Sequence, residues 1–316
     1  MPADTSLGPV LCIGECMIEL SERPDGMITR AFGGDTLNTA LYLARLGVET
    51  QYVTALGNDA FSDEMLAAWQ AEGIGTSLVP RVAGALPGLY LIRTDEHGER
   101  SFHHWRDSAP VRRLFTLPEI GEIEAAFLKA GMIYFSGITL SLFDPSSRAR
   151  LFAGLATARE RGVKIVFDTN FRARGWPDRD LAREVYTTAF EASDMVLASV
   201  EDHAGVFGSE DAEIVTARLK AAQVAESVVK LASPACHVIT QAGHGFVAAA
   251  PVEHVVDTTA AGDSFAAAYM AARRAGCSPE DSARAGHRLA GTVVQHRGAI
   301  IPRDAMPVIA FPGESA

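Results

Sequence analysis

Ala260-Ala261-Gly262-Asp263 sets three residues without bulk directly before a carboxylate, and Ser264-Phe265 follow. Phe265, Ala268, Tyr269 and Ala272 recur at near-helical spacing, and Gly276 is a natural stop, so a helix is expected to begin at this point. Small residues let another molecule approach the backbone closely. Amides converging at a helix N-terminus favour an anion. With a phosphate on those amides, Asp263 is placed to take a proton from a hydroxyl attacking that phosphate. An Asp at a helix start is also a common cap, and small residues in a turn are often only a turn. The residue types alone leave both readings open.

Other chemistry-bearing clusters fall at similar junctions. Gly33-Gly34-Asp35-Thr36-Leu37-Asn38 opens a helix with an apolar face through Leu37, Leu41, Ala44 and Leu46, ended by Gly47. Asp35 and Asn38 are three apart and share a face of its first turn. Asp168-Thr169-Asn170-Phe171-Arg172 and Ser199-Val200-Glu201-Asp202 each follow a short apolar run. No Gly-x-x-x-x-Gly-Lys-Ser/Thr loop and no protein-kinase His-Arg-Asp set is present.

The elements that must position these clusters alternate. Val10 to Gly14 reads as a buried first strand and Tyr52 to Leu56 as the next, with a helix through Met65, Leu66 and Trp69. From Met132 onward strands are expected at 133–135, 165–167, 195–197, 228–229, 238–239 and 246–247. Helices are expected around 147–161, 181–192, 212–225, 263–275 and 279–295. Val255-Val256-Asp257 reads as the end of a further strand. Two stretches differ in texture: 17–32, turning at Pro24-Asp25-Gly26, and 86–106, turning at Asp95 to Gly98, both alternate like half-buried hairpins. Together, over about 15–34 and 86–108, they predict a small sheet lying as a lid over one α/β domain spanning 1–316. Ligands of such sheets sit beyond the carboxyl ends of the strands, where the polar clusters fall. The lid's outer face needs a cover, which predicts a homodimer through the lid.

Of 316 residues, 48% are hydrophobic, enough for a substantial core, and no internal repeat is evident. A formal net charge of −11 argues against nucleic acid or an anionic membrane as partner. No apolar run is long enough to span a bilayer, and Met1 to Pro9 lacks the pattern of a signal peptide. Cys12, Cys16, Cys236 and Cys277 show no disulfide framework. Cys12 and Cys16 read as core thiols on one face of the first strand. A reduced, cytoplasmic protein is expected.

Asp257-Thr258-Thr259-Ala260-Ala261-Gly262-Asp263-Ser264-Phe265 closely resembles the C-terminal signature of the ribokinase-type sugar kinases, the phosphofructokinase B family, and the likeness extends along essentially the whole chain. Within that family it is most similar to the bacterial 2-dehydro-3-deoxygluconate kinases. The matching stretches are 32–38, Phe102-His103-His104-Trp105-Arg106, 168–172, and Gly286-His287 through Gln295 to Pro302. The resemblance implies a three-layer α-β-α ribokinase-like core with a β lid, and ATP-dependent phosphorylation of the keto-acid sugar to its 6-phosphate. Asp263 would be the general base, the amides of Ala260, Ala261, Gly262 and Asp263 an anion hole, and Mg²⁺ the bridge between nucleotide phosphates. Gly34, Asp35, Asn38, Tyr90, His104, Arg106, Asn170 and Arg172 would face the sugar acid. Arg106 and Arg172 are suited to grip its carboxylate through charge-assisted hydrogen bonds.

His104 departs from the Tyr common in the family. On the nucleotide side, the Val-Lys-Gly-x-x-Gly pattern becomes Val229-Lys230-Leu231-Ala232-Ser233-Pro234-Ala235, with Ala at both glycine positions. An Ala there is tolerated at negative φ and strained at positive φ. The acidic Asn-x-x-Glu motif appears as Ser199-Val200-Glu201-Asp202, putting Ser199 with Lys230, Ala232 and Ala235 near ATP. A monovalent cation beside Asp257 is a further expectation. Phosphorylation of another sugar (fructose, ribose or 2-dehydro-3-deoxygalactonate) and a catalytically weak sugar-acid binder stay open as alternatives.

Overall fold

The computed structural model describes residues 7–23, 25–94 and 100–311. The expected turn residues Pro24 and Asp95 to Gly98, and positions 1–6, lie outside the described residues. In chain order, β1 (Val10–Ile13) leads into a hairpin of β2 (Met17–Glu22) and β3 (Ile28–Gly33). Then come α1 (Asp35–Arg45), β4 (Thr50–Val53), β5 (Leu56–Gly57), α2 (Ala60–Ala71) and β6 (Arg81–Val82). The antiparallel pair β7 (Leu89–Thr94) and β8 (Arg100–Trp105) precedes α3 (Ile120–Phe127), β9 (Met132–Ser136), α4 (Gly137–Leu142) and α5 (Pro145–Glu160). The remainder is β10 (Lys164–Asp168), α6 (Arg179–Glu191), β11 (Met195–Ser199), α7 (Val200–Phe207), α8 (Ala212–Ala221) and β12 (Glu226–Lys230). It closes with β13 (Ala235–Thr240), β14 (Gly243–Ala248), α9 (Ala261–Arg274) and α10 (Pro279–Val293).

One sheet in the order β14-β13-β12-β11-β10-β9-β1-β4 forms the centre. It is parallel from β4 through β12, and β13 and β14 are antiparallel. Its parallel strands are near-continuous apolar runs because helices cover both faces. Alternation along β10 sends Ile165 and Phe167 to one core, with Leu151, Leu155, Val185 and Phe190 of α5 and α6. Val166 goes to the other, with Leu41, Phe265, Tyr269 and Leu289 of α1, α9 and α10. The result is the expected three-layer α-β-α core. No helix among the described residues is long and apolar enough to cross a membrane.

The two stretches expected to form a lid make a second sheet, ordered β3-β2-β7-β8, with β2 and β7 parallel at its middle. Leu20, Phe32 and Leu89 pack against the core, while Ile28, Phe102 and Trp105 stay exposed.

Several expectations are corrected. The strand expected across 52–56 breaks after Val53, because β1 ends at Ile13 and leaves no partner beyond. Leu56 N–H instead donates to Pro80 O, and β5 pairs with β6. Val255 and Val256 form no strand; both are exposed, and the N–H groups of Val256 and Asp257 are tethered to Val294 O at the end of α10. Cys16 lies outside β1, although it and Cys12 are both free thiols in one buried cluster. Short α3, α4 and α7 were not expected.

Candidate active site

Asp263 occupies the first turn of α9 but is not its cap. The N-cap is Ala260, at φ 60° and ψ 16°, with no side-chain capping bond. A left-handed alanine stores about 1 kcal/mol of strain, held in place by its surroundings. The turn uses the Ala261 N–H, which donates to Thr258 O at 3.2 Å. Among the described residues the N–H groups of Ala260, Gly262 and Asp263 have no backbone or side-chain acceptor, so the expected anion hole is these amides without that of Ala261. A Cβ on Gly262 would meet only Lys230 Nζ, at 3.6 Å. Apart from that ammonium, the space beside Gly262 is open.

The Asp263 carboxylate is 9% exposed and accepts from Asn38 Nδ2 at 2.8 Å. Thr39 Oγ1, one residue on in α1, donates to Asp263 O at 3.2 Å, so α1 fixes both the side chain and the backbone of Asp263. Burial first, and then the Asp35 carboxylate, push the Asp263 carboxyl up to about 8. Asp168 adds to this, while the Asn38 amide and Lys230 oppose it. A carboxyl poised there is a competent proton acceptor near neutrality.

Asp35, opening α1, accepts from Asn170 Nδ2 at 2.9 Å and from the Ser136 hydroxyl at the end of β9. Asn170 N–H donates in turn to Asp168 Oδ1 at 3.3 Å, and Lys230 Nζ lies 3.6 Å from that oxygen. Burial raises the Asp168 carboxyl, with Lys230 pulling against it. Asp35, Asn38, Asn170, Lys230 and Asp263 are thus one connected cluster at the carboxyl ends of β9, β10 and β12. Ser136 and Asp168 complete it. Sequence reasoning did not single them out, though Asp168 opens the stretch that supplied Asn170.

The glycines before α1 serve the chain itself. Gly34 has extended backbone, φ −179°, but a Cβ there would strike the Glu15 carbonyl, and one on Gly33 would strike the Tyr90 hydroxyl. Tyr90, in β7, bonds the Glu19 carboxylate across the lid, where the β2–β7 register sets the two side by side, and stacks on His104 with centroids 5.7 Å apart. Burial, with the Arg106 and Arg174 charges, holds the His104 imidazole below its ordinary value, so it is neutral near pH 7. Arg174 donates to Phe102 O at 3.1 Å and reaches His104 Nδ1 at 3.3 Å, joining the loop after β10 to the lid.

The two arginines expected at the substrate differ. Arg106, directly after β8, is mostly buried and paired with the Glu15 carboxylate. Arg172 has a side chain 64% exposed, donates to Phe171 O at 2.8 Å and stands 3.8 Å from Asp202 Oδ1. Arg172 and Arg106 share no hydrogen-bond or ion-pair partner among the described residues.

On the nucleotide side, Ser199 Oγ is spent as the cap of α7, accepting from Asp202 N–H at 3.1 Å. Asp202 itself accepts from Thr169 Oγ1 at 2.8 Å and Phe171 N–H at 2.9 Å, buttressing the 168–172 loop. Among the described residues the left-handed non-glycines are Asn170, Gln223 and Ala260. Ala232 and Ala235 therefore need no glycine conformation; the tight turn between β12 and β13 closes with Leu231 N–H on Ala235 O at 3.0 Å. The Asp257 carboxylate accepts from Thr259 N–H, Thr259 Oγ1 and Gly298 N–H, clipping the approach to α9 onto the C-terminal segment.

The chain as a whole has known relatives. The model of the pfkB family of carbohydrate kinases matches residues 9–306. The chain is 44% identical over 306 residues to 2-dehydro-3-deoxygluconokinase of Escherichia coli K12, covering 94% of this chain and 98% of the relative. It is 43% identical to the enzyme of the same name from Dickeya dadantii, again at 94% and 98% coverage. A crystal structure of Xylella fastidiosa fructokinase with bound ATP superposes with a TM-score of 0.81 at 25% identity, covering 95% of each chain. With the family model spanning the core, the lid and the α9 turn alike, the chain belongs to the pfkB family of carbohydrate kinases.

Proposed function

We propose that the protein transfers the γ-phosphoryl group of ATP to the 6-hydroxyl of 2-dehydro-3-deoxy-D-gluconate, the sugar acid named in its E. coli and Dickeya relatives. The observation that carries the reading is the Asp263 carboxylate, buried, held by Asn38, and set in the same turn as amides without acceptors. Asp263 takes the proton of the attacking hydroxyl. The Gly262 and Asp263 amides and Lys230 Nζ meet the charge that spreads over the transferring phosphoryl oxygens. Asp35, Asn38 and Asn170 orient the sugar, and Arg106 meets its carboxylate. Arg172, whose side chain is mostly exposed, is the second cation offered to the same group. His104 contributes a neutral hydrogen-bonding ring beside Tyr90.

Among the described residues no cluster of three or more His, Cys, Asp or Glu is placed to hold a metal. Mg²⁺ would arrive on the nucleotide phosphates, kept by water and one or two carboxylates, and would offset phosphate charge there. A monovalent cation beside Asp257 would share a carboxylate that already accepts three hydrogen bonds. Ala232 and Ala235 sit in backbone that any residue adopts, which supports a working kinase over a catalytically weak sugar-acid binder. The assembly we favour is a cytoplasmic homodimer joined through the exposed lid residues.

The test is turnover on the keto acid beside its galactonate epimer, fructose and ribose. Arg106→Ala is expected to raise KM for the keto acid by about 10- to 100-fold and to leave any residual neutral-sugar turnover alone. Equal turnover on a neutral sugar, or an unchanged keto-acid KM in the variant, would overturn the substrate assignment.

A further inference from the structure

We propose that Glu15 is the positioning residue behind acid-sugar selectivity, holding the Arg106 guanidinium at the sugar end of the cleft; this rests on Arg106 being the group that meets the substrate carboxylate. Glu15 lies two residues past β1, at the joint where both lid connections reach the core. Its carbonyl is packed against Gly34, and its Oε1 would be 2.6 Å from a Cβ on Gly88, the residue leading into β7. Arg106 Cβ would be 3.1 Å from the same Cβ. The Glu15 side chain is 3% exposed and that of Arg106 21%. Arg106 is the ion-pair partner of Glu15, and neither Glu15 oxygen has a hydrogen bond to any other described residue.

A buried carboxylate so poor in other donors depends on its cation, so the guanidinium is pinned to it. Pinning matters because an arginine side chain otherwise gives up much rotamer freedom on meeting a ligand. Arg106 Nε is also buried without a hydrogen-bond partner among the described residues. The planar fork has donors to spare, and the edge not facing Glu15 is left for a second carboxylate. A neutralised pair attracts stray anions less than a bare arginine does, so Glu15 exchanges general anion affinity for a fixed orientation. Burial raises the Glu15 carboxyl, and Arg106 first, then Arg112, pull it back toward the ionised form. No sequence spacing marks Glu15, because its partner is 91 positions away and joins it only through the lid.

The experiment is a kinetic double-mutant cycle with Glu15→Gln, Arg106→Ala and the double variant, read as KM for 2-dehydro-3-deoxygluconate, KM for ATP and kcat. Glu15→Gln is expected to raise the keto-acid KM about tenfold, with kcat and the ATP KM changing little. In the Arg106→Ala background it should add nothing. An unchanged or lower keto-acid KM in Glu15→Gln, or the same increment in both backgrounds, overturns the proposal. If Arg106→Ala by itself leaves the keto-acid KM unchanged, the fault lies in the substrate assignment. Should Glu15→Gln be insoluble, Glu15→Asp keeps the charge but shortens its reach, and it must give a KM-selective loss or the proposal falls.

Discussion

At the residue scale the account turns on the proton affinity of Asp263. Its carboxyl is pushed up to about 8, so in the free protein the ionised carboxylate is the minority form at neutral pH. The keto-acid kcat/KM should therefore rise with pH, about tenfold per unit below pH 8, and level off above it. A profile flat from pH 6 to 9 would contradict the assignment. Stability runs the opposite way. A carboxyl raised above its unfolded value of about 4 keeps its proton in the native state while the unfolded chain loses it. Native stability therefore falls as pH rises from about 4 to about 8, and Asp263→Asn should melt higher than the parent by a margin that widens over that range. Asp263 was legible in the sequence because its neighbours are contiguous. Glu15, Glu19, Ser136 and Arg174 were not, since strand register and lid placement bring them to their partners from far along the chain.

At the scale of elements, the start of α9 is the feature most open to test. Gly262→Ala adds a methyl that meets only Lys230 Nζ, at van der Waals distance, and replaces glycine within a helix by the best helix former. The variant should be as stable as the parent or more so, by up to about 1 kcal/mol. Its turnover should fall at least tenfold, because the methyl occupies the space assigned to the phosphoryl group. Full activity in a stable Gly262→Ala protein would move the phosphate elsewhere. The long elements were legible because their periodicity is long: α5, α6, α9 and α10 lie within a few residues of expectation. Short α4 and α7 are too brief to show a period, and each is set by a serine cap, Ser136 and Ser199, whose partners lie within the same turn. Val255-Val256 has the residue types of a strand but no neighbour to pair with. The Val256 and Asp257 N–H groups go to the end of α10 instead, and local types carry no signal of that.

At the scale of the whole molecule, the lid has to serve two purposes. One set of its side chains faces the core, Tyr90 against Gly33 and His104 against Arg174, while Ile28, Phe102 and Trp105 leave apolar surface in water. Exposed apolar surface on a small sheet calls for a partner. Light scattering should give twice the monomer mass, and Trp105→Glu should halve it while leaving the core folded. A parent protein that is monomeric at working concentration would remove the lid-to-lid dimer.

The central claim, an acid-sugar kinase with Asp263 as its base, is tested most directly by one coupled assay of ADP release. The mixture holds ATP, Mg²⁺ and 2-dehydro-3-deoxygluconate, with fructose and ribose in parallel wells and Asp263→Asn as the paired protein. The account predicts turnover on the keto acid, little on the neutral sugars, and a loss of about 100-fold or more in the variant. Keto-acid turnover that survives in Asp263→Asn would contradict it.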